Sequence, residues 1–123
     1  MILVDSSIWV DHFRATDAKL SQMLHAKRVL CHPFIIGEIM MGTPANRKGI
    51  LKELRRLPEA IQSTDREVID LVERHALYGL GIGYVDAHLI ASLALTQQAM
   101  LWTRDRRMHL AAERINLASG AFS

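Results

Sequence analysis

The chain opens with a short apolar run that stops abruptly at an acidic residue. Residues 1–4 are all apolar, and Asp5 follows them directly. An apolar run without polar alternation is typical of a strand that is buried on both faces, as in a parallel sheet covered by helices. Because helical segments separate the apolar runs that follow, the sequence predicts right-handed crossovers between parallel strands.

Further strands and helices are predicted by apolar periodicity and by capping residues. The predicted strands are 1–4, Val29–Cys31 and Met100–Thr103, with weaker candidates at Ala60–Gln62 and Ile115–Leu117. Three helices are predicted with bounds, at Pro33–Met41, 46–57 and 84–98. Three more are predicted by their starts: a helix capped by Thr16 after a turn at Asp17, a helix that begins with a capping box of Thr64 and Glu67, and a short helix after Asp105. We therefore predict an α/β fold, a three-layer α/β/α sandwich with a central parallel sheet.

Length and composition set the class of protein. The chain has 123 residues, half of them apolar and 23% charged, so we expect a single globular domain spanning 1–123. The apolar runs are far shorter than the roughly 20 residues of a membrane span, and the first residues carry no secretion signal, so we expect a cytoplasmic protein. The net charge of +2 permits a polyanionic partner without requiring one.

Two aspartates follow predicted strands. Asp5 ends the first strand, and Asp105 comes just after Met100–Thr103. Because ligands of open parallel sheets bind at the carboxyl ends of the strands, the two carboxylates are candidates for one site. Taken singly, each is more often a turn former or a helix cap.

Two more acids lie in apolar surroundings. Asp86 shares a helical stripe with Ile90, Leu93 and Ala94, although the first turn of a helix also stabilises negative charge. Glu38 lies among apolar neighbours with no basic residue within a helical turn. A carboxylate in such a place must be protonated, paired or bound to a cation, and an exposed glutamate on a narrow polar face is the alternative for Glu38.

Four converging carboxylates would repel one another, and a divalent cation relieves that repulsion. Ligands that are all oxygen, with neither paired cysteines nor suitably spaced histidines, favour Mg²⁺ or Mn²⁺ over zinc. Such a site serves phosphodiester hydrolysis, in which the metal activates a water and neutralises charge on phosphorus. Asp5, Glu38, Asp86 and Asp105 are therefore candidates for the catalytic, metal-binding acids of such a site.

Four segments that contain these acids resemble, in order, the motifs of PIN-domain nucleases, and most closely those of the VapC-type toxins of toxin–antitoxin pairs. They are Leu3–Ser7, Pro33–Ile39, Gly83–Ala91 and Trp102–Asp105. The resemblance covers essentially the whole chain and implies the same four acids as metal ligands, with Ser7 steadying Asp5. It also implies an Mg²⁺-dependent endoribonuclease, a homodimer, a VapB-type antitoxin that blocks the crevice, and a structured RNA substrate.

Basic residues offer candidate contacts to RNA phosphates. Lys48 and Lys52 lie on one helical face, which is more often simply a solvated face. Arg104, Arg106 and Arg107 bracket Asp105, where an arginine can hold a phosphate or offset the acids.

Two other functions remain open from the residues alone. A receiver or phosphatase would use Asp5 as phosphoryl acceptor with Mg²⁺, but such sites usually carry a second acid where Ser6 and Ser7 stand. A non-catalytic RNA-binding module gives no reason to gather acids against a polyanion. Trp9 and Trp102 are interpreted as core or dimer-contact residues rather than base-stacking platforms.

Overall fold

The computed structural model describes residues 1–120, in which seven helices accompany a three-stranded parallel sheet. The strands are β1 (Ile2–Val4), β2 (Val29–Leu30) and β3 (Met100–Trp102). The helices are α1 (Ser6–Arg14), α2 (Ala18–His25), α3 (Pro33–Met40), α4 (Arg47–Arg55), α5 (Asp65–His75), α6 (Tyr84–Leu95) and α7 (Arg106–Arg114). The predicted α/β/α sandwich with a central parallel sheet is confirmed.

Strand β1 lies in the middle of the sheet, in the order β2-β1-β3. Ile2 is opposite Val29 on one side and Met100 on the other, and both neighbours run parallel to β1. All three residues of β1 are buried, which agrees with its unbroken apolar sequence. The carboxyl ends of β1 and β3 therefore meet at one edge, and Asp5 and Asp105 follow at that edge.

Helix α6 is the most deeply buried helix of the described chain, with every residue from Ala87 to Leu93 buried. A helix that is apolar on all sides packs in the interior, so the start of α6 carries Asp86 to the border of the core. None of the helices within residues 1–120 is long and apolar enough to cross a membrane. Trp9 and Trp102 are both buried, so the core interpretation of the two tryptophans is confirmed.

A buried histidine joins the helices that carry Glu38 and Asp86. His32 caps α3, because its Nδ1 accepts a hydrogen bond from the Phe34 N–H at 3.0 Å. Its Nε2 lies 3.1 Å from the Ser92 hydroxyl on α6 and donates to it, since Nδ1 already acts as acceptor. Burial, followed by the nearby charge of His88, lowers the pKa of His32 to about 4. The ring is therefore neutral near pH 7 and holds α3 against α6.

Helix α1 was not predicted from the sequence. Ile8 and Trp9 are buried along it and Phe13 packs against the core, a spacing that fits one face of a helix. The sequence reasoning missed this pattern, and α1 also packs against α3. The cap of α2 was also assigned to the wrong residue, because Asp17 rather than Thr16 accepts from the Leu20 N–H, at 2.9 Å.

The two weak strand predictions were wrong. Each region contributes a single bridge just outside the predicted segment, from Glu59 to Cys31 and from Ala118 to Leu101. In the first region the Ile61 N–H donates to the hydroxyl of Thr96 at 2.9 Å instead of joining a ladder. Thr96 has an extended backbone and ends α6, which is why this helix stops short of the predicted residue 98.

Candidate active site

The carboxylate of Asp5 is held by two hydroxyl groups. Its Oδ2 accepts hydrogen bonds from Ser7 at 2.9 Å and from Thr103 at 2.8 Å, and the residue is only 7% exposed. Asp5 precedes α1, yet its side chain makes no capping hydrogen bond to that helix. The helix-cap alternative therefore does not account for the Asp5 carboxylate, and Ser7 contacts it as the resemblance implied.

Thr103 is a site residue that the sequence reasoning missed. Its buried hydroxyl donates to Asp5 and accepts from the backbone N–H of Asp105 at 3.0 Å. One hydroxyl thus ties together the ends of β1 and β3. The signal that points to it is a polar residue at the last position of a predicted strand that is otherwise apolar.

Glu38 reaches the site from α3. Its Oε2 lies 3.5 Å from the hydroxyl of Ser6, across the ends of α1 and α3. The residue as a whole is exposed, but burial of its carboxyl group is the largest cause that raises its pKa, followed by the charges of Asp5 and Asp86. Glu38 is therefore exposed, as the alternative reading of its sequence expected, and the charges of Asp5 and Asp86 still act on its carboxyl group.

Asp86 reaches the site from the first turn of α6. Burial raises its pKa, a backbone hydrogen bond from Gly83 opposes that shift, and the charges of Asp5 and Asp105 raise it further. The residue is half-buried, with Ile90 and Leu93 in the core as predicted. Ala94, which was assigned to the same buried stripe, is exposed because α6 emerges from the core before its end.

Asp105 has a structural role of its own. It caps α7, since its Oδ1 accepts from the N–H groups of Arg107 at 2.9 Å and Met108 at 3.2 Å. Its charge also raises the pKa of Asp86. The residue is exposed, and both capping bonds go to Oδ1, so Asp105 can cap α7 and still act on Asp86 through its charge.

Two substitutions at Asp105 separate these roles. We expect Asp105→Ala to lower the free energy of unfolding by about 0.5–2 kcal/mol, because the cap is lost, whereas asparagine caps as well as aspartate does. If the carboxylate is also a metal ligand, as the resemblance to PIN-domain nucleases implies, both variants lose RNA cleavage by about tenfold or more, the effect of about 1.4 kcal/mol in the transition state. Urea unfolding and a cleavage assay measure the two effects. Full cleavage by Asp105→Asn would show that Asp105 is only a cap.

Comparison with known proteins places the chain in a family. Ribonuclease VapC32, from two strains of Mycobacterium tuberculosis, is 42% identical over 118 residues, which are 96% of this chain and 95% of the relative. The chain belongs to the family of VapC-type PIN-domain toxins. The resemblance seen in the sequence motifs is thereby confirmed. The chain matches no protein-family model.

The acids of this VapC-type chain are coupled electrostatically without forming a compact ligand set. Within residues 1–120, no three His, Cys, Asp or Glu side chains are grouped closely enough to hold a metal ion. The charges of other acids nevertheless contribute, after burial, to the raised pKa of Glu38 and of Asp86. A donor set made of carboxylates that repel one another fits a hard divalent cation, and its binding would draw the side chains together.

The basic residues that were predicted near the site differ in their contacts. Arg104 forms ion pairs with Asp11 of α1 at 2.6 Å and with Asp17, just before α2, at 3.5 Å. Two carboxylates therefore already neutralise its charge. Arg106 and Arg107 are exposed in the first turn of α7. The remaining two candidates are exposed on α4; they are Lys48 and Lys52.

Proposed function

We propose that this VapC-type chain is an endoribonuclease that requires Mg²⁺, or Mn²⁺ in its place, and that it is the toxin of a toxin–antitoxin pair. The relatives are named as ribonucleases, which supports the reaction class. The observation that carries the proposal is the Asp5 carboxylate, which is buried, held by two hydroxyls, and close enough to Glu38 and Asp86 to raise the pKa of both.

Asp5, Glu38, Asp86 and Asp105 are the residues that would hold the cation. When bound, a divalent ion lowers the pKa of water and neutralises charge on the phosphodiester. The chain itself supplies orientation, because the hydroxyls of Ser7 and Thr103 fix Oδ2 of Asp5. Glu38 and Asp86 hold their protons to higher pH than ordinary carboxyl groups do, so protons compete with the cation at acidic pH.

The proposal includes the partners and the setting of the enzyme. The substrate is RNA, and exposed cations on α4 and α7 supply attraction for its phosphates. We also propose a VapB-type antitoxin as the inhibitory partner, a homodimer, a cytoplasmic location, and one nuclease domain spanning 1–123.

The test is cleavage of total RNA by the purified protein, with Mg²⁺, with Mn²⁺, or with EDTA. We expect discrete fragments that carry 5′-phosphate ends in the presence of either ion and intact RNA in EDTA, because the acids need the cation to act on a phosphodiester. Fragment ends are read by ligation-based sequencing, and the Asp5→Asn variant prepared in parallel controls for contaminating nucleases. Cleavage that persists in EDTA would contradict the proposed metal dependence.

A further inference from the structure

Gly81 and Arg107 are in close contact, one in the loop before α6 and the other in the first turn of α7. A Cβ atom added to Gly81 would lie 2.8 Å from Cδ of Arg107, 3.1 Å from Nη1 and 3.2 Å from Nε. The arginine side chain therefore lies directly against the backbone of the loop, in space that any other residue at position 81 would fill.

This contact connects the starts of the two helices that carry Asp86 and Asp105. Gly81 lies two residues before Gly83, which precedes α6 and gives Asp86 a backbone hydrogen bond. Arg107 lies in the first turn of α7, and its N–H donates to Asp105. The guanidinium is thus located between the loop that leads to one acid and the helix that follows the other.

The charge of Arg107 is not neutralised by any carboxylate of the described chain. No ion pair involves Arg107 within residues 1–120, whereas Arg104 pairs with both Asp11 and Asp17. Arg107 is exposed, and the carboxylate nearest in sequence, Asp105, bonds to backbone N–H groups rather than to the guanidinium. Its guanidinium is therefore available to an anion at the surface beside Gly81.

We propose that Arg107 binds a backbone phosphate of the RNA beside the acidic site, and that Gly81 is the positioning residue that holds Arg107 there. The proposal rests on the proposed nuclease function. A guanidinium offers two parallel N–H donors to a phosphate. Binding in this geometry is tighter when the side chain is already oriented, because less conformational entropy is lost. Gly81 provides the orientation by leaving open the surface on which the arginine lies.

The chain offers a matched control for Gly81. Gly79 and Gly81 both have positive φ, +71° and +80°, so alanine strains the backbone at either position. A Cβ at Gly79 would meet nothing within 4 Å, whereas at Gly81 it meets the flexible end of Arg107. Gly81→Ala therefore displaces the arginine, and Gly79→Ala reproduces only the backbone strain.

The experiment measures the affinity of a structured RNA oligonucleotide in EDTA, where binding is read without cleavage. We expect Arg107→Ala to weaken binding about fivefold to tenfold and to lower the salt slope of log K by about 0.7–0.9, the loss of one phosphate contact. Gly81→Ala is expected to weaken binding at least threefold and Gly79→Ala to leave it unchanged. In the Arg107→Ala background, Gly81→Ala should have no further effect. Arg28→Ala removes the same charge from an exposed residue directly before β2, at the opposite end of the parallel strands from Asp5, and should change binding less than twofold.

Several results would overturn the inference. Equal losses of RNA affinity in Gly81→Ala and Gly79→Ala would show that Gly81 matters only for the backbone conformation of the loop and does not position Arg107. Equal effects of Arg28→Ala and Arg107→Ala would show that net charge alone matters, and this comparison stands even if Gly81→Ala fails to fold. Cleavage by the unmodified protein together with normal binding by Arg107→Ala would reject the inference and retain the nuclease function. An unmodified protein that cleaves no RNA in Mg²⁺ would reject the nuclease function instead.

Discussion

Asp5→Asn is expected to reduce RNA cleavage by at least about 10³-fold, the loss of roughly 4 kcal/mol of transition-state stabilisation. Asn has nearly the shape of Asp but no charge, so the cation loses a ligand while the packing around β1 is kept. The hydroxyls of Ser7 and Thr103 can still bond to the amide, so the fold should survive. Single-turnover cleavage in Mg²⁺ measures the rate, and circular dichroism verifies the fold.

A second readout of Asp5→Asn does not depend on activity. The charge of Asp5 is one cause of the raised pKa of both Glu38 and Asp86. Its removal should therefore lower both pKa values, which carboxyl NMR titration in EDTA detects. Asp70→Asn, at an exposed position of α5, removes the same charge away from the site and should leave cleavage unchanged. Unaltered titration of Glu38 and Asp86 in Asp5→Asn would mean that the acids do not form one electrostatic unit.

Asp86→Asn is expected to have opposite effects on activity and on stability. Cleavage should fall by about 10²-fold or more, because a proposed ligand of the cation is lost. In EDTA at pH 7, however, Tm should rise by roughly 1–3 °C. In a chain of this length, that rise in Tm corresponds to a gain of a few tenths of a kcal/mol in the free energy of unfolding. The gain is small because Asp86 is only half-buried and solvent screens part of its charge. Thermal unfolding followed by circular dichroism measures it.

The sign of the stability effect follows from the direction of the pKa shift. The pKa of Asp86 is raised in the folded chain, so the folded state binds more protons than the unfolded state between the ordinary value of 3.8 and the raised one. The ionised group therefore destabilises the fold as pH rises through that window. The Tm advantage of Asp86→Asn should vanish below about pH 3.8, where both states are protonated.

Magnesium should reverse this order of stability. A cation that binds only the folded unmodified protein stabilises it by mass action, and Asp86→Asn gains less from the same concentration. A lower Tm for Asp86→Asn in EDTA at pH 7 would show that favourable contacts, such as the bond from Gly83, outweigh burial and repulsion. Asp70→Asn again serves as the control for the loss of one negative charge.

The sequence predicted best those strands and helix starts whose defining residues all lie within one short segment. The apolar run before Asp5 predicted a buried central strand, and Thr64 with Glu67 predicted the capping box that is present at α5. Pro33 predicted the start of α3 because proline suits the first turn of a helix. These features depend on hydrogen bonds and burial patterns within a few residues, so neighbouring residues are sufficient to reveal them.

Weak local patterns failed where distant contacts decide the structure. Helix α1 buries Ile8 and Trp9 fully and Phe13 only in part, and it packs against α3, so its position depends largely on contacts with distant residues. The segment Ala60–Gln62 has an apolar content that fits a strand, but the side chain of Thr96 takes the N–H of Ile61. Local propensity is a weak prior, and tertiary partners override it in both cases.

The sequence by itself determined the family, the parallel α/β architecture and the four candidate acids, because motif order and apolar periodicity are properties of the chain read in order. Only the tertiary structure decided which groups meet. In the folded chain Thr103 bonds to Asp5, 98 positions away, Arg104 forms ion pairs with two aspartates, and Arg107 packs against Gly81. Contacts between segments so far apart depend on how every intervening helix packs, and no local pattern records that packing.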